Sequence, residues 1–86
     1  MLVKWREKAS IDFKNWKKTN SRVAQRIKDL IRNIKQSPYT GLEKPKALKY
    51  KLSGFYARRI NKKNRLIYAI LDSTLVIVSC KGHYDG

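Results

Sequence analysis

Leu52-Ser53-Gly54-Phe55-Tyr56-Ala57-Arg58-Arg59-Ile60-Asn61-Lys62-Lys63-Asn64-Arg65-Leu66-Ile67-Tyr68-Ala69-Ile70-Leu71 is the stretch on which the fold turns. Two β-prone runs, Phe55 to Ile60 and Arg65 to Leu71, flank a polar segment, and Ser53-Gly54 supplies a turn before the first. Loop length then decides which side chains share a face, because a one-residue slip in register moves every side chain to the other side. A two-residue turn at Lys62-Lys63 sets Arg59 opposite Leu66 and splits Arg59 from Arg65. A three-residue loop, Lys62 to Asn64, puts both arginines on one face. That loop type needs a left-handed third residue, which asparagine tolerates better than most. We therefore expect a loop over Lys62–Asn64 with Asn64 at positive φ.

Working outward, Thr74 to Lys81 reads as a further strand, and Leu75-Val76-Ile77-Val78 is apolar on both faces, which makes it central or covered. Upstream, Leu48, Tyr50 and Leu52 alternate with Lys49 and Lys51, the pattern of a strand with one buried face. Before it, a loop from Ser37 to Lys46 holds Pro38, Gly41 and Pro45. The period then changes. Val23, Ile27, Leu30, Ile31 and Ile34 form a helical stripe, and Ser37-Pro38 ends that helix because the residue before proline avoids the α region. Ala9, Phe13 and Trp16 mark an earlier helix from about Glu7 to Lys18. Thr19-Asn20-Ser21 is too short a joint for anything but an antiparallel helix pair. Leu2 to Trp5 is a brief strand. One domain, residues 1–86, is expected: α+β, an N-terminal strand and two-helix hairpin packed on one face of an antiparallel sheet. The other face is left partly open or binds something.

Composition narrows the chemistry. The chain has 86 residues, 21 of them basic and 6 acidic, for a formal charge of +15. Hydrophobic residues make up 42%, too many for a disordered basic tail. No apolar run reaches the roughly 18 residues of a membrane span, and Met1 to Lys8 carries charges where a signal peptide needs its apolar stretch. Cys80 has no partner for a disulfide, and with His83 it cannot make a closed zinc site. These readings describe a small cytoplasmic domain needing no metal or cofactor. A charge of this size opposes compaction and fits a polyanionic partner: nucleic acid first, an acidic protein second, an anionic membrane surface third. From Lys44 to Leu71 there is no acid and there are nine cations, which predicts an anion-binding surface.

Few residues could do more than bind. His83 is the single histidine, and an unperturbed imidazole titrates near pH ~6.5, suited to proton transfer. Cys80 stands three positions before it, so in a regular strand the two point to opposite faces. No glycine-rich phosphate loop and no close carboxylate pair is present. RNA cleavage needs neither. The substrate's own 2′-OH attacks, and a cluster of Arg and Lys with one His and a Tyr can supply proton transfer and charge stabilisation.

The residues Ser37-Pro38, Lys44-Pro45, Leu48-Lys49, Leu52-Ser53-Gly54-Phe55, Arg58-Arg59-Ile60, Arg65-Leu66-Ile67-Tyr68-Ala69 and His83-Tyr84 carry a resemblance. Over nearly its whole length the chain resembles the YoeB/Txe branch of the RelE–ParE toxin superfamily. The resemblance implies a microbial ribonuclease fold and a toxin of a type II toxin–antitoxin pair. Such toxins cut mRNA in the ribosomal A site, work as homodimers, and are silenced by an acidic antitoxin of the YefM/Axe type. Carried over by residue, Arg65 resembles the transition-state arginine, His83 the general acid on the 5′-oxygen, and Tyr84 the residue that orients the nucleotide. Lys49 and Arg59 match positive positions of the same pocket. Lys44, Arg58, Lys62 and Lys63 are expected to contact RNA backbone.

One position departs. Family members carry a glutamate after Lys-Pro as general base, and here Lys46 occupies that place. A lysine there predicts impaired cleavage. The competing reading is a neutral fraction of Lys46 acting as base among its neighbouring cations. Glu43 is a remote substitute that would have to swing across Pro45. A catalytically inactive module that binds antitoxin or RNA is the alternative function, and a ParE-like gyrase poison a more distant one.

Overall fold

The structure, a computed structural model, describes residues 1–83. Strand β1 (Leu2–Trp5) is followed by helices α1 (Glu7–Thr19) and α2 (Ser21–Gln36). Strands β2 (Lys46–Ala47), β3 (Tyr56–Arg59), β4 (Arg65–Leu71) and β5 (Thr74–Ser79) complete the set, with a 3-10 turn at Tyr50–Leu52. Asn20 makes the helix hairpin. Its backbone N–H donates to Trp16 O and closes α1, while its side-chain oxygen accepts from Val23 N and opens α2. One residue serving both ends leaves no slack, so the helices fold back on each other.

The sheet runs β1-β5-β4-β3-β2. β2 to β5 form an antiparallel meander, but β1 pairs parallel to β5, so the sheet is mixed rather than antiparallel throughout. β5 is therefore internal, as its two apolar faces require. Both helices cover one face, where Ile27, Leu30 and Ile34 of α2 meet Leu66, Tyr68 and Ile77 in the main core.

The other face is half covered. A second cluster joins Leu48, Ala57 and Ile67, with Leu52 and Phe55 packed on it. The expected strand from Leu48 to Leu52 is absent. Only Lys46 and Ala47 pair with β3, and the chain then turns with Tyr50 at φ 58 and 87% exposed. Three alternating positions fit a tight turn as well as a strand. Here the turn carries Leu48 and Leu52 down onto the sheet and throws Tyr50 outward.

The β3–β4 connection also differs from expectation. Arg59 pairs directly with Arg65, and the loop spans residues 60–64. Asn64 is not at positive φ. Asn61 organises the loop instead: its side-chain oxygen accepts from Lys63 N at 3.0 Å, Asn64 N at 2.9 Å and Asn64 Nδ2 at 3.0 Å. A side-chain cap of this kind replaces the left-handed residue a three-residue loop needs. Both lengths have the same parity, so Arg59 and Arg65 do share a face. No helix among the described residues is long and apolar enough to cross a membrane.

Candidate active site

Beside the second apolar cluster, the open face of the sheet ends in a cleft of about 210 Å³. Glu43, Lys44, Lys46, Arg59, Arg65 and His83 line it over a floor of Leu48 and Ala57. Five parts of the chain deliver these groups: the loop before β2, β2 itself, the paired ends of β3 and β4, and the segment after β5. Four cations crowd a small volume, and such a cleft concentrates a phosphate.

Arg65 is half-buried and anchored. Its Nη1 donates to Asn61 O at 2.7 Å and Asn64 O at 3.1 Å, so loop carbonyls hold one nitrogen and fix the fork's direction. Gly82, at φ 98, ties the last described segment to the same place. Its N–H donates to Asn64 Oδ1 at 2.9 Å and its carbonyl accepts from Arg65 N at 2.9 Å. His83 follows directly and is exposed at the cleft.

Helix α1 holds this segment from the other side. The buried Asp12 carboxylate accepts from Lys8 Nζ at 2.8 Å and Cys80 N at 3.1 Å. Lys8 Nζ also donates to Ser79 Oγ at 2.9 Å and Lys81 O at 3.2 Å, and Trp16 Nε1 donates to Cys80 O at 2.9 Å. Nothing in the sequence singled out Asp12, whose value depends on α1 lying against the end of β5. Cys80 is buried, and its thiol is pushed up to about 12, chiefly by burial and further by Asp12, with Lys8 opposing. A thiol in that state is no nucleophile.

Arg58 is not an RNA contact. It lies on the helix face, the opposite side from Arg59, and is 0% exposed. Its Nη1 donates to Asn33 Oδ1 and to Leu42 O at 3.0 Å, its Nη2 to Ser37 O and to Thr40 O at 2.8 Å, and its Nε to Tyr68 OH at 3.2 Å. Tyr68 OH donates in turn to Pro38 O at 2.7 Å. Burial raises the Tyr68 phenol above its ordinary value, against the pull of Arg58. Arg58 thus pins the 37–42 loop to the sheet. Gly41 sits within that loop at φ 91, where a Cβ would stand 2.7 Å from Asn33 Oδ1.

Beyond the pinned loop, Glu43 and Lys44 both take left-handed backbone, at φ 62 and 41. The chain doubles back there and sets both side chains into the cleft. Glu43 therefore lines the site without crossing Pro45, contrary to expectation, and its Oε2 pairs with Arg26 of α2. Neither left-handed position is a glycine or an asparagine, so residue type does not mark them in advance. Lys44 joins the cleft. Lys49, Lys62 and Lys63 are exposed and outside it, Lys49 at the 3-10 turn and the other two on the β3–β4 loop. Tyr84 lies outside the described residues. Among the described residues, no three His, Cys, Asp or Glu side chains converge as metal ligands would.

The family described as "YoeB-like toxin of bacterial type II toxin-antitoxin system" matches residues 5–84. Toxin YoeB of Escherichia coli K12 is 39% identical over 84 residues, covering 98% of this chain and 100% of that protein. A YoeB/ParE toxin from Agrobacterium tumefaciens superposes with a TM-score of 0.95 at 36% identity, over 98% of this chain and 100% of its own. Two Staphylococcus aureus structures, a YoeB-YefM complex and a YoeB dimer, each superpose with a TM-score of 0.90. They are 35% and 33% identical, each over 98% of this chain and over 99% and 98% of their own. With sequence and fold matched from end to end, this chain belongs to the family of YoeB-like toxins of bacterial type II toxin–antitoxin systems.

Proposed function

We propose that this toxin is a metal-independent endoribonuclease that cuts mRNA in the ribosomal A site and so stops translation. The observation that carries the reading is the convergence of Lys44, Lys46, Arg59, Arg65 and His83 on one cleft. In the reaction, the 2′-oxygen of the nucleotide before the cut bonds to the adjacent phosphorus, and the bond from phosphorus to the 5′-oxygen breaks. The products are a 2′,3′-cyclic phosphate and a 5′-hydroxyl. Extra negative charge gathers on the non-bridging oxygens as the 2′-oxygen attacks. Arg65, already held by its loop carbonyls, meets that charge without reorganising, with Arg59 beside it. His83 in its imidazolium form gives its proton to the leaving 5′-oxygen. Tyr84 orients the nucleotide near the cut. Lys44 and Lys46 add positive charge at the mouth, and Lys49, Lys62 and Lys63 follow the RNA backbone outside.

The partners follow from the same surface. An acidic antitoxin of the YefM type neutralises the cations, as the Staphylococcus aureus YoeB-YefM complex suggests, and the working form is a cytoplasmic homodimer. Lys46 at the base position favours a second reading, a module that binds antitoxin or RNA without cutting. Translating ribosomes with mapped mRNA 5′ ends decide between them. Cleavage by the wild type that disappears in His83→Ala supports the enzyme. Cleavage by Lys46→Glu alone supports a lost base, and no cleavage by either leaves the binding module.

A further inference from the structure

We propose that Glu43 is the general base of this cleft, accepting the 2′-hydroxyl proton as the 2′-oxygen attacks. The inference rests on the ribonuclease reading above and supplies the acceptor which that reading leaves open. Lysine and arginine side chains in their charged forms donate hydrogen bonds and accept none. Of the groups lining the cleft, the cations are therefore excluded as acceptors. His83 is engaged with the leaving oxygen. Among the described residues, Glu43 is the one carboxylate lining the cleft.

Its geometry suits the task. Two successive left-handed residues place it, a costly conformation that persists only where the surroundings enforce it. Arg58 clamps the preceding loop by three carbonyls, and the Lys44 N–H closes the turn onto Gly41 O at 3.1 Å. Arg26 holds Oε2, which orients the carboxylate and leaves Oε1 with no hydrogen-bond donor among the described residues. An anchored carboxylate with one open oxygen can take a proton without first breaking a contact. The balance is closed: the 2′-hydroxyl proton passes to Oε1, the 2′-oxygen bonds to phosphorus, the 5′-oxygen leaves with the His83 proton, and both residues then exchange with water. The lysine after Lys-Pro is then a phosphate contact rather than a failed base.

Single-turnover cleavage on ribosomes programmed with a defined mRNA tests this. Glu43→Gln keeps the shape and the Arg26 contact, and the rate is expected to fall by about 10²–10⁴-fold with an unchanged melting curve. Formate is expected to restore part of the rate to Glu43→Ala, which a merely structural role would not allow. A substrate whose 5′-oxygen is replaced by sulfur needs no proton on leaving. It should rescue His83→Ala and leave Glu43→Gln slow. Wild-type cleavage that Glu43→Gln leaves untouched overturns the assignment while the ribonuclease reading stands. Cleavage seen only in Lys46→Glu overturns it as well, because Glu43 was then present and insufficient. Failure of every variant to cut removes the ribonuclease reading and this assignment together.

Discussion

Arg58 and Arg59 are neighbours with opposite fates, and the strand's pleat decides between them. Arg59 faces the cleft, while Arg58 faces the helices and donates to three carbonyls of the loop before β2. Removing a buried charged donor leaves its acceptors unpaired, which costs more than the bonds themselves contribute. Arg58→Ala should therefore destabilise the fold by on the order of 3 kcal/mol in urea unfolding. Arg58→Lys should recover only part of that, since an ammonium lacks the fork. Arg59→Ala should stay within about 0.5 kcal/mol of wild type while weakening RNA cleavage. The reverse order would contradict the assignments. A pair of adjacent arginines reads the same in either orientation, which is why the sequence reading placed both on RNA. Cys80 makes a second prediction at this scale. Its thiol, at about 12, stays protonated in the folded chain, whereas the unfolded chain releases that proton above the ordinary thiol range, near pH ~8.5. The folded state then binds more protons, so stability is full below that range and falls by about 1.4 kcal/mol per pH unit above it. Denaturation at about pH 8 and about pH 10 should show this loss, and Cys80→Ala should flatten it.

Among the elements, α1 does more than cover the sheet. Through Lys8, Asp12 and Trp16 it grips residues 79–81, and the β3–β4 loop grips Gly82, so His83 is held from two sides. Asp12→Ala leaves the buried Cys80 N–H without its acceptor and Lys8 without its carboxylate partner. A loss of about 2 kcal/mol is expected from thermal or urea melts, with cleavage reduced further than Lys8→Ala reduces it. Equal stability in Asp12→Ala and wild type would refute the grip. The helices were legible because α2 carries an unbroken apolar stripe and Asn20 a cap. The hairpin of β3 and β4 was legible in parity but not in length, since Asn61 rather than Asn64 shapes the loop. Leu48 to Leu52 was misread because so short an alternation carries no more than a hint. Arg65 and His83 entered the site through family resemblance, not spacing. Glu43 was out of reach because its position depends on a glutamate and a lysine taking left-handed backbone, which neither residue type announces.

Across the whole molecule, charge is the dominant fact, at +15 on 86 residues. Binding to single-stranded RNA should weaken with salt, by a slope of about 0.7 in log K per neutralised phosphate. If Lys62 and Lys63 track the backbone, Lys62→Ala with Lys63→Ala should flatten that slope by about 1.4 in total. An unchanged slope would remove both from the RNA path. The overall α+β plan could be read from periodicity, but the pairing of β1 with β5 could not, because no local pattern links strands so far apart along the chain. That pairing sets Leu2 beside Thr74. A chain emerging from its own ribosome thus has its first strand waiting, unmatched, until almost everything else has been synthesised, and the same late strand completes the sheet's interior. Closing the sheet must wait on a pairing between distant parts of the chain, and a prematurely terminated product that lacks β5 has neither a seat for its beginning nor a scaffold for its cleft.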